Sequence, residues 1–128
     1  MSDVSTGERP HILLVEDHAL LRELQQQILE KQGFRVTVAA SADDAVVLLS
    51  GGTHADILLS DVRMAGTLNG IALAHWTREH FPHMGILLQT AFTDSLTGDF
   101  PVLRKPFDPD TALVAIQQAL RERRPASR

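Results

Sequence analysis

The chain has 128 residues, 44% hydrophobic and 22% charged, with a net charge of −4; these are the values of an ordinary folded chain rather than a disordered one. That length suits one domain able to bury a single core without staples. The absence of cysteine excludes disulfides and thiolate metal sites, the acidic balance argues against direct nucleic-acid binding, and no apolar run approaches the roughly 18 residues of a membrane span.

Residues 1–10 read as a flexible lead-in ending at Pro10, too polar for the apolar centre of a signal peptide, so a cytoplasmic location is expected. The first strand is His11 to Val15. A helix from about His18 to Gln32 follows, with Leu21, Leu24 and Ile28 expected on its inner face and Gly33 as its stop. Strand two is Arg35 to Ala39. Ser41 with Asp44 resembles a capping box that opens a second helix, with Val47 and Leu48 expected inside and Gly51-Gly52 ending it. Strand three is about Asp56 to Ser60. A loop from Arg63 to Asn69 carries Gly66, and Gly70 precedes a helix through Ile71, Ala74 and Trp76 that Pro82 closes. Strand four is Gly85 to Gln89 and strand five about Pro101 to Arg104. Asp108-Pro109 is an N-cap with proline at the first helical position, and Leu113, Ile116 and Leu120 form the inner stripe of the last helix. Residues 11–121 thus form one domain, and 122–128 a basic tail expected to fray.

Strands alternating with helices imply an α/β fold with a parallel sheet. The doubly wound, flavodoxin-like strand order 2-1-3-4-5 places strands one and three side by side. Short aliphatic runs such as Ile12-Leu13-Leu14-Val15 and Ile57-Leu58-Leu59 suit strands buried on both faces. Each of these runs stops at charge: Glu16-Asp17, Asp61 and, after Val102-Leu103-Arg104, Lys105. Ligands bind at this carboxyl edge in open α/β sheets.

Crowded carboxylates repel one another unless a cation intervenes. A hard divalent ion is the natural remedy, and Mg²⁺ (or Mn²⁺) suits one or two carboxylates, water and a phosphate oxygen. Lys105 adds an ammonium and Thr90, at the end of strand four, a hydroxyl. Together these are the parts for phosphoryl transfer to an aspartate. Asp61, alone at its strand end, is the candidate nucleophile; the adjacent Glu16 and Asp17 are better placed as metal ligands, with Lys105 and Thr90 holding the phosphoryl oxygens.

From His11 to Leu120 the chain resembles the response-regulator receiver domain of two-component signalling, a CheY-like family. The resemblance rests on four motifs in order: "ILLVEDH", "ILLSDVRMAGTLNG", "LLQTAF" and "LRKPF". It implies five strands flanked by five helices. It also implies that Asp61 receives a phosphoryl group from a histidine kinase or a histidine phosphotransfer protein. The effect is then expected to pass by contacts to a downstream protein, with a homodimer left open. Asp17 matches the direct metal ligand, Glu16 its partner through water, and the carbonyl of Arg63 the backbone ligand. The chain would then be no enzyme beyond self-phosphorylation and autodephosphorylation.

Three departures from the family pattern stand out. Ala65 follows Met64 where proline is frequent. Val102 stands where many receivers carry an aromatic switch. Only Thr93 to Asp99 separate Phe92 from Phe100, so the fourth helix is expected to be short or absent, as in receivers of hybrid histidine kinases and stand-alone relatives. Arg63 and Phe92, two residues beyond Asp61 and Thr90, lie where receivers tune phosphoryl lifetime. His18 reads as a first-turn residue, Trp76 as a helix face partly buried on the sheet, Met64 as loop packing, and the six histidines show no ligand spacing.

Three alternatives compete. A pseudo-receiver would dock partners without phosphorylation. A phosphohydrolase with an aspartyl nucleophile would need a second aspartate two residues on, where Arg63 stands. A flavin-binding protein would need a hydroxyl-rich phosphate loop where Glu16-Asp17 stands.

Overall fold

The computed structural model describes residues 9–64, 69–91 and 97–123. Within them β1 (His11–Val15), α1 (Ala19–Lys31), β2 (Arg35–Ala39), α2 (Ala42–Ser50), β3 (Ile57–Asp61), α3 (Gly70–His80), β4 (Gly85–Thr90), β5 (Val102–Arg104) and α4 (Pro109–Glu122) follow in order. The five strands are all parallel and lie in the order β2-β1-β3-β4-β5. The α/β doubly wound sheet expected from the sequence is therefore present.

Alternation along the buried strands divides the core between the two faces. Ile12, Leu14, Ile57 and Leu59 pack with Leu29 of α1 and Ala112, Ile116 and Ala119 of α4. Leu13, Val15 and Leu58 face the other way, onto Ala42, Ala45 and Leu49 of α2 and Leu73 of α3. Met64 and Trp76 pack partly buried against this second cluster, as the sequence suggests.

Helix ends follow their local chemistry. Ser41 Oγ accepts from the Asp44 N–H, and Asp108 Oδ2 from the Thr111 N–H, so both expected caps form. Gly33 takes φ +99°, the Gly33 N–H reaches the Glu30 carbonyl, and the Phe34 N–H reaches the Leu29 carbonyl. This is a Schellman stop, which an L side chain at that φ would strain.

Helix faces required correction. Leu24 is 52% exposed and Val47 69% exposed, whereas Gln25 and Leu29 are the buried residues of α1, and Ala42, Ala45 and Leu49 those of α2. Small residues let α2 sit close to the sheet, so Val47 turns outward. In α1 a buried polar partner on β4 draws Gln25 inward and rotates Leu24 out. On α4 the stripe is Ala112, Ile116 and Ala119, flanked by half-buried Leu113 and Leu120. Strand three ends at Asp61, so the acid belongs to the strand itself. At the far end α4 continues to Glu122, and Arg123 donates to the carbonyl and carboxylate of Asp56.

Several expectations lie outside the described residues: those for Ala65, Gly66 and Phe92, and most of the segment expected to shorten the fourth helix. Of that segment, Thr97–Phe100 forms a turn closed by the Phe100 N–H on the Thr97 carbonyl. Val102 lies on the edge strand, 38% exposed.

Candidate functional site

The parallel register sets the site. Asp61 pairs with Gln89 across β3 and β4, and Thr90 with Arg104 across β4 and β5. Beyond the strand ends, the Val62 N–H donates to the Gln89 carbonyl (2.9 Å) and the Lys105 N–H to the Thr90 carbonyl (2.9 Å). On the other side the Glu16 N–H donates to the Ala39 carbonyl (3.1 Å). The backbone ladder thus delivers Glu16, Asp17, Asp61, Thr90 and Lys105 to one edge. The Lys105–Pro106 peptide that turns the chain there is cis.

Lys105 Nζ lies 3.1 Å from Glu16 Oε1 and 3.2 Å from Asp61 Oδ1. The carboxylates of Glu16, Asp17 and Asp61 each offer an oxygen, all within 4.8 Å of one another. Glu16 is buried at 1% exposure and Asp61 at 6%, while Asp17 is exposed. Glu16 Oε2 also accepts from the His18 N–H (3.1 Å). His18 itself caps α1, its Nδ1 accepting from the Leu21 N–H (3.2 Å), which bears out its reading as a helix-start residue.

Burial, and then the neighbouring Glu16, push the Asp61 carboxyl up to about 6, against the opposing pull of Lys105. Burial alone would pull the Lys105 ammonium down, but its bonds to Glu16 and Asp61 outweigh that and hold it above the ordinary lysine range. Glu16 and Asp61 share one ammonium, with the Asp17 carboxylate beside them, which leaves a residual demand for positive charge. An oxygen-ligated divalent cation satisfies that demand, so these donors fit Mg²⁺ or Mn²⁺.

Thr90 is buried at the end of β4, and Arg63 is exposed in the loop after β3. Among the described residues the only grouping of three metal-capable side chains is this acidic one, so the scattered histidines assemble no such site.

Three contributors escaped the sequence reading. A Cβ placed on Gly70 would fall 1.8 Å from the Asp61 carbonyl oxygen, and the Gly70 N–H donates to the Val62 carbonyl (3.0 Å). Only glycine lets α3 begin this close to the acid. Arg22 Nη1 donates to the Glu16 carbonyl (2.9 Å) and fixes the turn after β1. Gln25 and Gln89 form a buried amide pair. The signal available for the pair is a glutamine closing the apolar run of strand four, which a buried site tolerates only with a partner.

Comparison with known proteins agrees with this geometry. The response regulator receiver domain family matches residues 12–117. The DNA-binding transcriptional regulator NtrC of Salmonella typhimurium is 28% identical over 120 residues, covering 88% of this chain and 25% of that protein. The transcriptional regulatory protein FixJ of Bradyrhizobium diazoefficiens is 32% identical over 127 residues, covering 92% of this chain and 60% of that protein. The chain therefore spans about a quarter of the length of NtrC. A response regulator receiver protein from Sinorhizobium medicae superposes with a TM-score of 0.81 at 29% identity, over 91% of this chain and 98% of that one. With the matched residues running from the first strand into the last helix, the chain belongs to the response-regulator receiver domain family.

Proposed function

We propose that this receiver accepts a phosphoryl group on Asp61 from the phosphohistidine of a histidine kinase or histidine phosphotransfer protein. The observation that carries this reading is the position of Asp61: a buried acid raised to about 6, bridged to Glu16 by Lys105, at the carboxyl edge of the sheet within the residues that match the family. At neutral pH Asp61 is ionised and nucleophilic. One Asp61 Oδ attacks phosphorus, the P–N bond breaks, and the donor imidazole leaves with the bonding pair and takes up a proton. The product is an aspartyl phosphate.

Asp17 and Asp61 directly, Glu16 through water and the Arg63 carbonyl would hold Mg²⁺, which supplies charge neutralisation when bound. Lys105 is placed to follow the charge from the carboxylate to a phosphoryl oxygen, and the Thr90 hydroxyl to donate to another. Beyond the attack by Asp61, catalysis here is positioning and electrostatics. Output then passes through protein contacts, in a chain among whose described residues no helix is long and apolar enough to cross a membrane.

The test is incubation with Mg²⁺ and a small phosphodonor, read by intact mass. One added phosphoryl group, lost in Asp61→Asn, is expected. No gain from small donors or from a phosphorylated phosphotransfer protein would make the chain a docking module, and sustained turnover of phosphate esters would make it a phosphohydrolase.

A further inference from the structure

Gln25 of α1 and Gln89 of β4 are 3% and 0% exposed. Gln25 Nε2 donates to Gln89 Oε1 (3.0 Å), and Gln89 Nε2 donates back to Gln25 Oε1 (3.0 Å). Two antiparallel bonds close a ring between residues 64 apart in sequence. Two buried amides are a costly way to fill space that leucine fills at similar volume. What distinguishes the position is what else Gln89 holds. Its carbonyl accepts from the Val62 N–H, next to Asp61, and the carbonyl of Thr90 accepts from the Lys105 N–H. The Gln89–Thr90 dipeptide therefore fastens the backbone of Asp61's strand on one side and of Lys105 on the other. Its own place along the strand axis is fixed from α1, through the amide ring. Arg22, one turn earlier on α1, fixes the Glu16 carbonyl in the same way (2.9 Å).

Resting on the phosphoacceptor reading, we infer that Gln25 and Gln89 are positioning residues: their amide ring sets the height of the β4 end, and through it the spacing of Asp61, Thr90 and Lys105. A hydrogen-bonded ring is directional and fixes register, whereas an apolar contact lets helix and strand slide. Misplacement of reacting groups by a fraction of an ångström is enough to slow transfer severalfold.

The experiment compares wild type with Gln25→Leu, Gln89→Leu and the double variant in the whole chain. Stability is read by urea unfolding, Mg²⁺ affinity by calorimetry, and the phosphorylation rate with acetyl phosphate by intact mass. Each single variant orphans a buried amide and is expected to lose stability. The double variant is expected to recover stability, yet to bind Mg²⁺ more weakly and to be phosphorylated about tenfold more slowly. A double variant that recovers stability, affinity and rate together overturns the inference, because a merely structural pair would behave so. Should the double variant not fold, the wild-type side-chain amide resonances of Gln25 and Gln89 decide. Shifts of both on Mg²⁺ titration support the coupling, and constancy at saturating Mg²⁺ overturns it. If the amides shift but wild type takes no phosphoryl group, the acceptor reading fails while the positioning role stands. Wild type that binds no Mg²⁺ overturns both.

Discussion

Strand β3 is bracketed by two aspartates with opposite fates. Asp56, just before the strand, accepts from the His11 N–H (2.8 Å) and from Arg123 Nη1 (3.2 Å). Burial pushes its carboxyl up, but the His11 N–H and the Arg123 guanidinium outweigh that and hold it below the usual range. Asp61, ending the strand, shares Lys105 with Glu16 and is pushed up to about 6. The same residue type is satisfied at the amino edge of the sheet and crowded at the carboxyl edge. A structural carboxylate is given donors until its charged form is the stable one; Asp61 is kept short of them, and the deficit is what a cation can fill.

Removing the crowded charge tests the contrast most severely. Asp61→Asn is expected to abolish phosphorylation and also to stabilise the fold. A carboxyl whose folded value lies above its unfolded one binds more protons when folded, so wild-type stability falls as pH rises from about 4 to about 6. Above that window the penalty is fully present, and a shift from 3.8 to about 6 corresponds to about 3 kcal/mol. The melting temperature of Asp61→Asn should exceed that of wild type at pH 8 and converge on it near pH 4. Equal melting temperatures at pH 8 would mean that Asp61 is not crowded. Mg²⁺ should narrow the gap by stabilising wild type, with its affinity declining as protons compete for Asp61 below pH 6.

Gly70→Ala attacks the same edge sterically. Its Cβ meets the backbone of Asp61, which has no flexible end to yield, so a loss of about 1–3 kcal/mol is expected in urea unfolding. Mg²⁺ affinity should fall with it, because the shift is delivered to the strand that ends at Asp61. At the other edge Asp56→Ala should cost about 1–2 kcal/mol, since it strands the His11 N–H and frees Arg123. Its phosphorylation rate should equal wild type; a slowed rate would show that the two ends of β3 are coupled.

Much of this contrast could be read in the chain beforehand, and what could not has a physical reason. Strand identities and order follow from runs of aliphatics buried on both faces, and the crowded edge from charges that end those runs. The satisfied edge was silent because Asp56 and Arg123 are 67 residues apart and look like ordinary surface charges. Helix faces depart from hydrophobic periodicity where a long-range polar contact overrides it: Leu24 is a better apolar anchor than Gln25, yet only Gln25 answers the amide of Gln89. Gly70 looked like a mere helix starter, because its constraint is another segment's carbonyl.

The smallest expected effect comes from His11, whose backbone serves Asp56 and whose Nε2 lies 2.7 Å from Thr37 Oγ1. Burial, then the nearby Arg35, pull its imidazole below the ordinary histidine value despite the attraction of Asp56. A base with a depressed folded value binds fewer protons when folded, so its contribution is lost as pH falls through the unfolded value near 6.5. The two edges therefore respond to acid with opposite signs: between pH 7 and 5 the carboxyl edge gains stability as Asp61 takes up its proton, while the amino edge loses it through His11. In wild type the two slopes partly cancel. His11→Gln, which keeps a polar group near Thr37 but cannot titrate, should make stability rise more steeply on acidification than in wild type, and urea unfolding at pH 7, 6 and 5 reads the difference. An unchanged slope would mean that His11 contributes nothing to the response between pH 7 and pH 5.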